Sequence, residues 1–119
     1  MTRQASPPWA AGCTHRSKGR GGPALVLLHG FLGAPSAWHA VLAALPNHGP
    51  VWCPWLPGHG PAAPAPATWD ETVLALADSL PAGAVLAGYS LGARLALAAT
   101  LQRPGRVRAT LLVLSLIHI

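Results

Sequence analysis

The sequence predicts an α/β fold in three layers, a parallel sheet held between crossover helices. Short continuous apolar runs alternate with stretches whose apolar residues recur at i, i+3, i+4 and i+7. The first pattern suits strands buried on both faces, and the second suits helices with one apolar stripe. The 13 glycines and 13 prolines cluster at 21–35, 46–66 and 81–92, between those segments. They read as loop punctuation and not as a repeat. The order strand, helix, strand, helix, strand, helix, strand predicts crossovers and a parallel sheet.

Residues 1–22 lack periodicity and are expected to form a flexible basic tail, with the domain running from 23 to 113. Ala24 to Leu28 is the first strand, followed by a turn over His29-Gly30-Phe31-Leu32-Gly33. A helix over about 36–45 follows from the stripe Trp38, Val41, Leu42, Leu45, and Pro46-Asn47 stops it. A short strand over 50–53 leads into Trp55-Leu56-Pro57-Gly58-His59-Gly60 and a Pro/Ala-rich loop over 61–67. Thr68 with Glu71 forms a capping box. It starts a helix whose stripe is Val73, Leu76, Ala77, Leu80. The third strand, Ala84 to Tyr89, runs into Ser90. The third helix, about 91–102, is apolar almost all round, the pattern of a helix buried against a sheet. Pro104-Gly105 ends it, and Val107 to Val113 is the fourth strand.

A formal charge of +5 invites a nucleic-acid reading, but four of the eight basic residues, Arg3, Arg16, Lys18 and Arg20, lie in the first twenty positions. A solvated extension explains them, and no nucleic-acid partner is expected. Only 9% of residues are charged and 51% are apolar, which excludes a disordered polyelectrolyte. No apolar run is long enough to span a bilayer, and no continuous apolar stretch marks a signal peptide. The cysteines, Cys13 and Cys53, read as incidental thiols of a reduced, cytoplasmic compartment. No metal-ligand spacing or phosphate loop is present, so no cofactor or metal is expected. The oligomeric state is not legible. The last six residues, Leu114-Ser115-Leu116-Ile117-His118-Ile119, match the translated end of a common transposase-type sequencing adapter. They are read as a non-native tail, which removes His118 from consideration.

Chemistry concentrates at Gly88-Tyr89-Ser90-Leu91-Gly92, a G-x-S-x-G pattern between an apolar strand and a buried helix. A serine standing proud of a sheet needs a sharp strand-to-helix turn, with small residues at Gly88 and Gly92 to avoid clashes. The helix that follows aims the positive end of its dipole at the site. His29-Gly30-Phe31 ends the first strand. The backbone N–H groups of Phe31 and Leu91 are expected to converge there as an oxyanion hole, with His29 and Gly30 structural at the site.

With these motifs in hand, the chain resembles the α/β-hydrolase superfamily. Leu28-His29-Gly30-Phe31, Leu56-Pro57-Gly58-His59-Gly60 and Gly88-Tyr89-Ser90-Leu91-Gly92 stand in the family's order over residues 23 to about 113. The resemblance implies an incomplete α/β-hydrolase fold, with Ser90 as nucleophile and a small-molecule substrate of ester-like or related class. The intact parent would be roughly 250 residues long, with a cap inserted after the fourth strand. Gly88 to Leu97, together with His29 to Gly33, also looks like the succinyl-hydroxycyclohexadiene-carboxylate synthase branch of menaquinone biosynthesis, which eliminates pyruvate. That likeness implies that Arg94 holds a substrate carboxylate and that Tyr89 lines the pocket. Arg94 interrupts an otherwise apolar helix, and a buried arginine must meet an anion, a structural carboxylate or a carbonyl. Trp55 stands where the family often has Asp, and Ala93 replaces a frequent glycine.

The triad acid and histidine should follow the serine, yet Asp70, Glu71 and Asp78 all precede Ser90. Asp70 and Glu71 fit a helix dipole better. His15, His39 and His48 are expected to be solvated, and His59 to be structural. A serine without a base is a weak nucleophile. The 119 residues are therefore expected to be the inactive front part of an enzyme. A non-catalytic ligand-binding protein of the same fold is the alternative from another class, and a naturally short protein with an unpaired edge at 107–113 is the third.

Overall fold

The computed structural model describes residues 12–60 and 68–113. The expectations for residues 1–11, the 61–67 loop and the 114–119 tail lie outside the described residues. Five strands form one sheet: β1 (Gly12–His15), β2 (Leu25–Leu28), β3 (Val51–Pro54), β4 (Ala84–Tyr89) and β5 (Val107–Val113). Their spatial order is β1-β3-β2-β4-β5, with β1 antiparallel to β3 and every other pair parallel. The helices are α1 (His39–Ala44), α2 (Trp69–Ser79) and α3 (Leu91–Gln102).

Alternation along β2 creates the three layers. Val26 and Leu28 point to one face, into a core with Leu76, Leu86, Leu95 and Ala99 that packs α2 and α3 on the sheet. Leu27 points to the other face, with Trp38, Leu42, Val51, Cys53 and Ala87 beneath α1. Burying both faces of a short strand requires the unbroken apolar run seen in the sequence.

The tail expected over 1–22 is corrected for its described part. Gly12–His15 is an edge strand paired to β3. Lys18 and His48 exchange backbone hydrogen bonds of 2.8 and 3.1 Å, and the Arg20 amide donates to the Asn47 side chain at 2.8 Å. A four-residue edge strand with no clean alternation carries too little pattern to be seen in one sequence. His48, expected to be solvated, is buried, because this pairing folds the 17–21 segment over it.

The helix expected over 36–45 divides into a 3₁₀ turn, Pro35–Trp38, and the six-residue α1. Trp38 and Leu42 of its stripe are buried, while Val41 is exposed and lines a cavity. In α2 the stripe Val73, Leu76, Ala77, Leu80 is buried throughout, and the Thr68 hydroxyl caps the helix by accepting the Glu71 amide at 3.1 Å.

The apolar circumference of α3 does not mean burial all round. Gly92, Ala93, Leu95, Ala96 and Ala99 face the sheet, whereas Arg94, Leu97 and Leu101 are exposed on the opposite face. Those three lie at i, i+3 and i+7 and share one stripe. Apart from Leu95, the sheet-facing side is made of glycine and alanine, because the helix lies close to the strands. Arg94 thus sits on the outer face, exposed to solvent, and is not the buried arginine that the apolar helix led one to expect.

Candidate active site

The C-terminal edge of the sheet carries the chemistry-bearing residues. β4 ends at Tyr89, and Ser90 turns the chain into α3 with φ 54° and ψ −112°. A non-glycine residue at positive φ costs about 1–3 kcal/mol and persists only where its surroundings over-determine it. Here the Ser90 amide donates to the Val113 carbonyl at 2.9 Å, and the Ser90 carbonyl accepts the Ala93 and Arg94 amides at 3.0 and 3.2 Å. Strand β5 and the first turn of α3 therefore clamp the serine from both sides.

Gly88 and Gly92 make that turn sterically feasible. A Cβ on Gly88 would run into the backbone of Gly92 and Ala93, and one on Gly92 would run into the carbonyl oxygens of Leu28 and His29. The pattern of small residues two before and two after the serine thus records backbone contact between β4, α3 and the end of β2.

The β2 loop reaches the same edge. Gly30 lies under the Tyr89 ring, where a Cβ would approach it to 2.8 Å. Phe31 and Leu32 are exposed, 67% and 81%, on a loop whose backbone is nonetheless held. The Leu32 amide donates to Nε2 of His59 at 2.8 Å, and Nδ1 of His59 meets the Pro57 carbonyl at 3.1 Å. In return, the Leu56 amide donates to Nε2 of His29 at 3.1 Å, and Nδ1 of His29 donates to the Gly30 carbonyl at 2.8 Å. Each histidine accepts an amide 27 residues away on the other's loop, and the two rings meet edge to face at 5.1 Å. Because each Nε2 accepts an N–H, each Nδ1 carries the proton and both rings are neutral. Burial keeps His29 below the ordinary 6.5, a backbone bond to Gly30 opposes this, and His59 adds to the lowering.

The expectation that His59 is structural agrees with this arrangement. His29, buried at 1% exposure, is the other half of the clasp. The sequence signal was the paired His-Gly steps at 29–30 and 59–60, each followed or preceded by its partner amide at the same spacing. Trp55, which departs from the family pattern, lies edge-on to His29 at 5.9 Å and covers Gly60, where a Cβ would meet its indole.

With both ring nitrogens of His29 and His59 committed, neither offers a base to Ser90. Asp78 pairs with Arg103 at 3.0 Å. Among the described residues, the amides of Phe31 and Leu91 take part in none of these hydrogen bonds.

Two cavities are lined by the chain neighbours of the serine, Tyr89 and Leu91, and not by Ser90 itself. One, about 360 Å³, is lined by Gly30, Trp38, Val41, Tyr89 and Val113 among others. The second, about 200 Å³, lies over Leu91 and Leu95, between Leu56, Pro57, Trp69 and Thr72. Arg94 is exposed one turn after Ser90 and lines neither cavity.

Comparison with known proteins places the chain in a family. The model of the alpha/beta hydrolase family matches residues 25–117. The pimeloyl-[acyl-carrier protein] methyl ester esterase of Aromatoleum aromaticum is 40% identical over 76% of this chain and 36% of its own length. The 2-succinyl-6-hydroxy-2,4-cyclohexadiene-1-carboxylate synthase of Enterobacter sp. (strain 638) is 43% identical over 71% of this chain and 34% of its own. The structure of MenH from S. aureus superposes with a TM-score of 0.66 at 23% identity, covering 84% of this chain and 40% of that one. The chain spans little more than a third of the length of these curated relatives.

Proposed function

The chain belongs to the alpha/beta hydrolase family, and from that premise we propose that Ser90 is the nucleophile of a site that cleaves small-molecule esters. The reading rests chiefly on one observation: Ser90 is held at φ 54° on the strand-to-helix turn, beside the loop carrying Phe31. In this reading the Ser90 hydroxyl attacks an ester carbonyl, and the carbonyl oxygen becomes an anion. The Phe31 and Leu91 amides donate to it, and the N-terminal end of α3 adds its partial positive charge. Gly88, Gly92 and Gly30 allow the close backbone approach, and the His29–His59 clasp fixes the loop that carries the Phe31 donor. The acid and histidine that would activate Ser90 come from chain outside the described residues, since His29 and His59 are otherwise engaged. The apolar cavity beside Tyr89 suits an acyl chain, in keeping with the methyl ester esterase among the relatives.

A second reading has its own support. The synthase relative shares 43% identity, and in that likeness the site eliminates pyruvate, with Arg94 binding a substrate carboxylate and Tyr89 lining the pocket. Arg94 is exposed one turn after Ser90 and lines neither cavity, so this reading requires its side chain to swing from the outer face of α3 toward the site. Assaying a protein that carries this segment with nitrophenyl esters of graded chain length and with the pathway intermediate separates the two. Ester turnover that disappears in Ser90→Ala, without pyruvate release, supports the hydrolase. Pyruvate release lost in Arg94→Ala supports the synthase. Binding of a ligand with neither activity supports a non-catalytic member of the fold.

A further inference from the structure

Cys13 and Cys53 oppose one another across the edge of the sheet. β1 and β3 run antiparallel with Cys13 in register with Cys53. Directly opposed residues project to the same face, and both side chains join the cluster beneath α1. Cys53 is fully buried there, and Cys13 lies partly buried at its border. Opposed α-carbons of an antiparallel ladder stand about 4.5–5.5 Å apart, inside the span of about 4.4–6.8 Å that a disulfide bridges. β1 is the outermost strand, so it can make the small adjustment that bond formation needs without breaking a second ladder among the described residues.

We propose that Cys13 and Cys53 are a thiol modification site, forming a reversible cross-strand disulfide by exchange with a low-molecular-weight disulfide of the glutathione class. The partly exposed Cys13 reacts first: its thiolate attacks one sulfur of the small disulfide, a mixed disulfide forms and one thiolate leaves. The Cys53 thiolate then attacks the Cys13 sulfur and expels the second. The protein loses two hydrogens as two thiols become one disulfide, and the oxidant is reduced to two small thiols. Burial, and the neighbouring Cys13, push the Cys53 thiol up to about 12, so the closing step is slow at neutral pH. The bond ties the edge strand to β3 around a loop that contains β2, the Phe31 loop and α1. It thereby locks the cluster whose Trp38 also lines the cavity beside Tyr89.

The test equilibrates the 119-residue chain with graded ratios of oxidised to reduced glutathione at mildly alkaline pH, in native buffer and in concentrated urea. Samples are quenched, alkylated and digested with trypsin. Cleavage after Arg16 and Arg20 places the cysteines on separate peptides, 4–16 and 21–94, so the disulfide is read as a joined pair lighter by two hydrogens. The expected result is a monomer with that joined pair, and an oxidation equilibrium favoured at least about tenfold in native buffer over urea, since the sheet pre-positions the thiols. A glutathione adduct that stops at Cys13, a bond between two chains, no oxidation, or equal constants in both solvents would each overturn the proposal. A Cys53→Ser chain should stop at the mixed disulfide. If that variant does not fold, the native-against-urea comparison on the unaltered chain still decides.

Discussion

Replacing Gly92 by alanine probes the contact on which the serine turn depends. The new methyl would press on the carbonyl oxygens of Leu28 and His29. These are backbone atoms at the end of a central strand and cannot swing aside, so the first turn of α3 must retreat from β2 and take Ser90 with it. Overpacking of this kind costs about 3 kcal/mol, the upper part of the usual range. Alanine in a helix returns about 1 kcal/mol relative to glycine. The net loss is about 2 kcal/mol, which lowers the melting temperature of a domain this size by about 8–16 °C. Gly105→Ala is the control, because a Cβ there meets nothing within 4 Å. Thermal unfolding followed by circular dichroism should show Gly92→Ala melting well below both the parent chain and the control. If Gly92→Ala melts with the control, the close approach of α3 to β2, and the steric account of the small residues around Ser90, are wrong.

The remaining predictions concern the loop clasp and the helix cap. His59→Ala removes the acceptor of the Leu32 amide. Hydrogen exchange at Leu32 should accelerate to the rate of an open loop, while global stability falls by only about 1 kcal/mol, because the freed amide is exposed to water. The neutral His29 ring makes stability depend on pH. Its pKa is lowered from 6.5, mainly by burial, so the unfolded chain takes up the proton first. That contribution is whole above about pH 6.5 and is lost as pH falls toward the lower folded value. Urea midpoints measured downward through this window should decline, and a His29→Gln chain should start lower but decline less. Thr68→Ala deletes the cap that accepts the Glu71 amide and should cost about 1 kcal/mol in urea unfolding, with the slope of the transition unchanged.

Much of the fold was legible because its inner strands, β2 and β4, are buried on both faces. β4, α3 and β5 fall where the apolar runs and the Pro104-Gly105 break placed them: β4 lies inside the sheet and leaves an unbroken run, while β5, at the edge, is set off by the break before it. β1 was not legible. It is four residues long and pairs only at the edge, and although its burial alternates, its residue types, Gly12, Cys13, Thr14 and His15, show no apolar alternation in sequence. Its pairing depends on β3, far away in sequence. The exposure of Arg94 is hidden for a related reason: the sequence of α3 is apolar almost all round, and only the packing distinguishes the face of Gly92, Ala93, Leu95, Ala96 and Ala99 from the face of Leu97 and Leu101. At the site, the turn residues announced themselves because backbone crowding restricts Gly88, Ser90 and Gly92 directly. The clasp did not, because a histidine ring accepting a remote amide requires both loops to be brought to the same sheet edge before the spacing acquires meaning.

The most direct test of the central claim, that Ser90 is the nucleophile, is active-site labelling. A protein carrying this segment together with chain that supplies an acid and a histidine is treated with a fluorophosphonate, and the adduct is mapped by tandem mass spectrometry. The account predicts one adduct, on Ser90 within the tryptic peptide 21–94, absent from Ser90→Ala and slowed in His59→Ala. A catalytically active protein labelled at another serine, or one whose Ser90 stays unmodified while turnover continues, would contradict it.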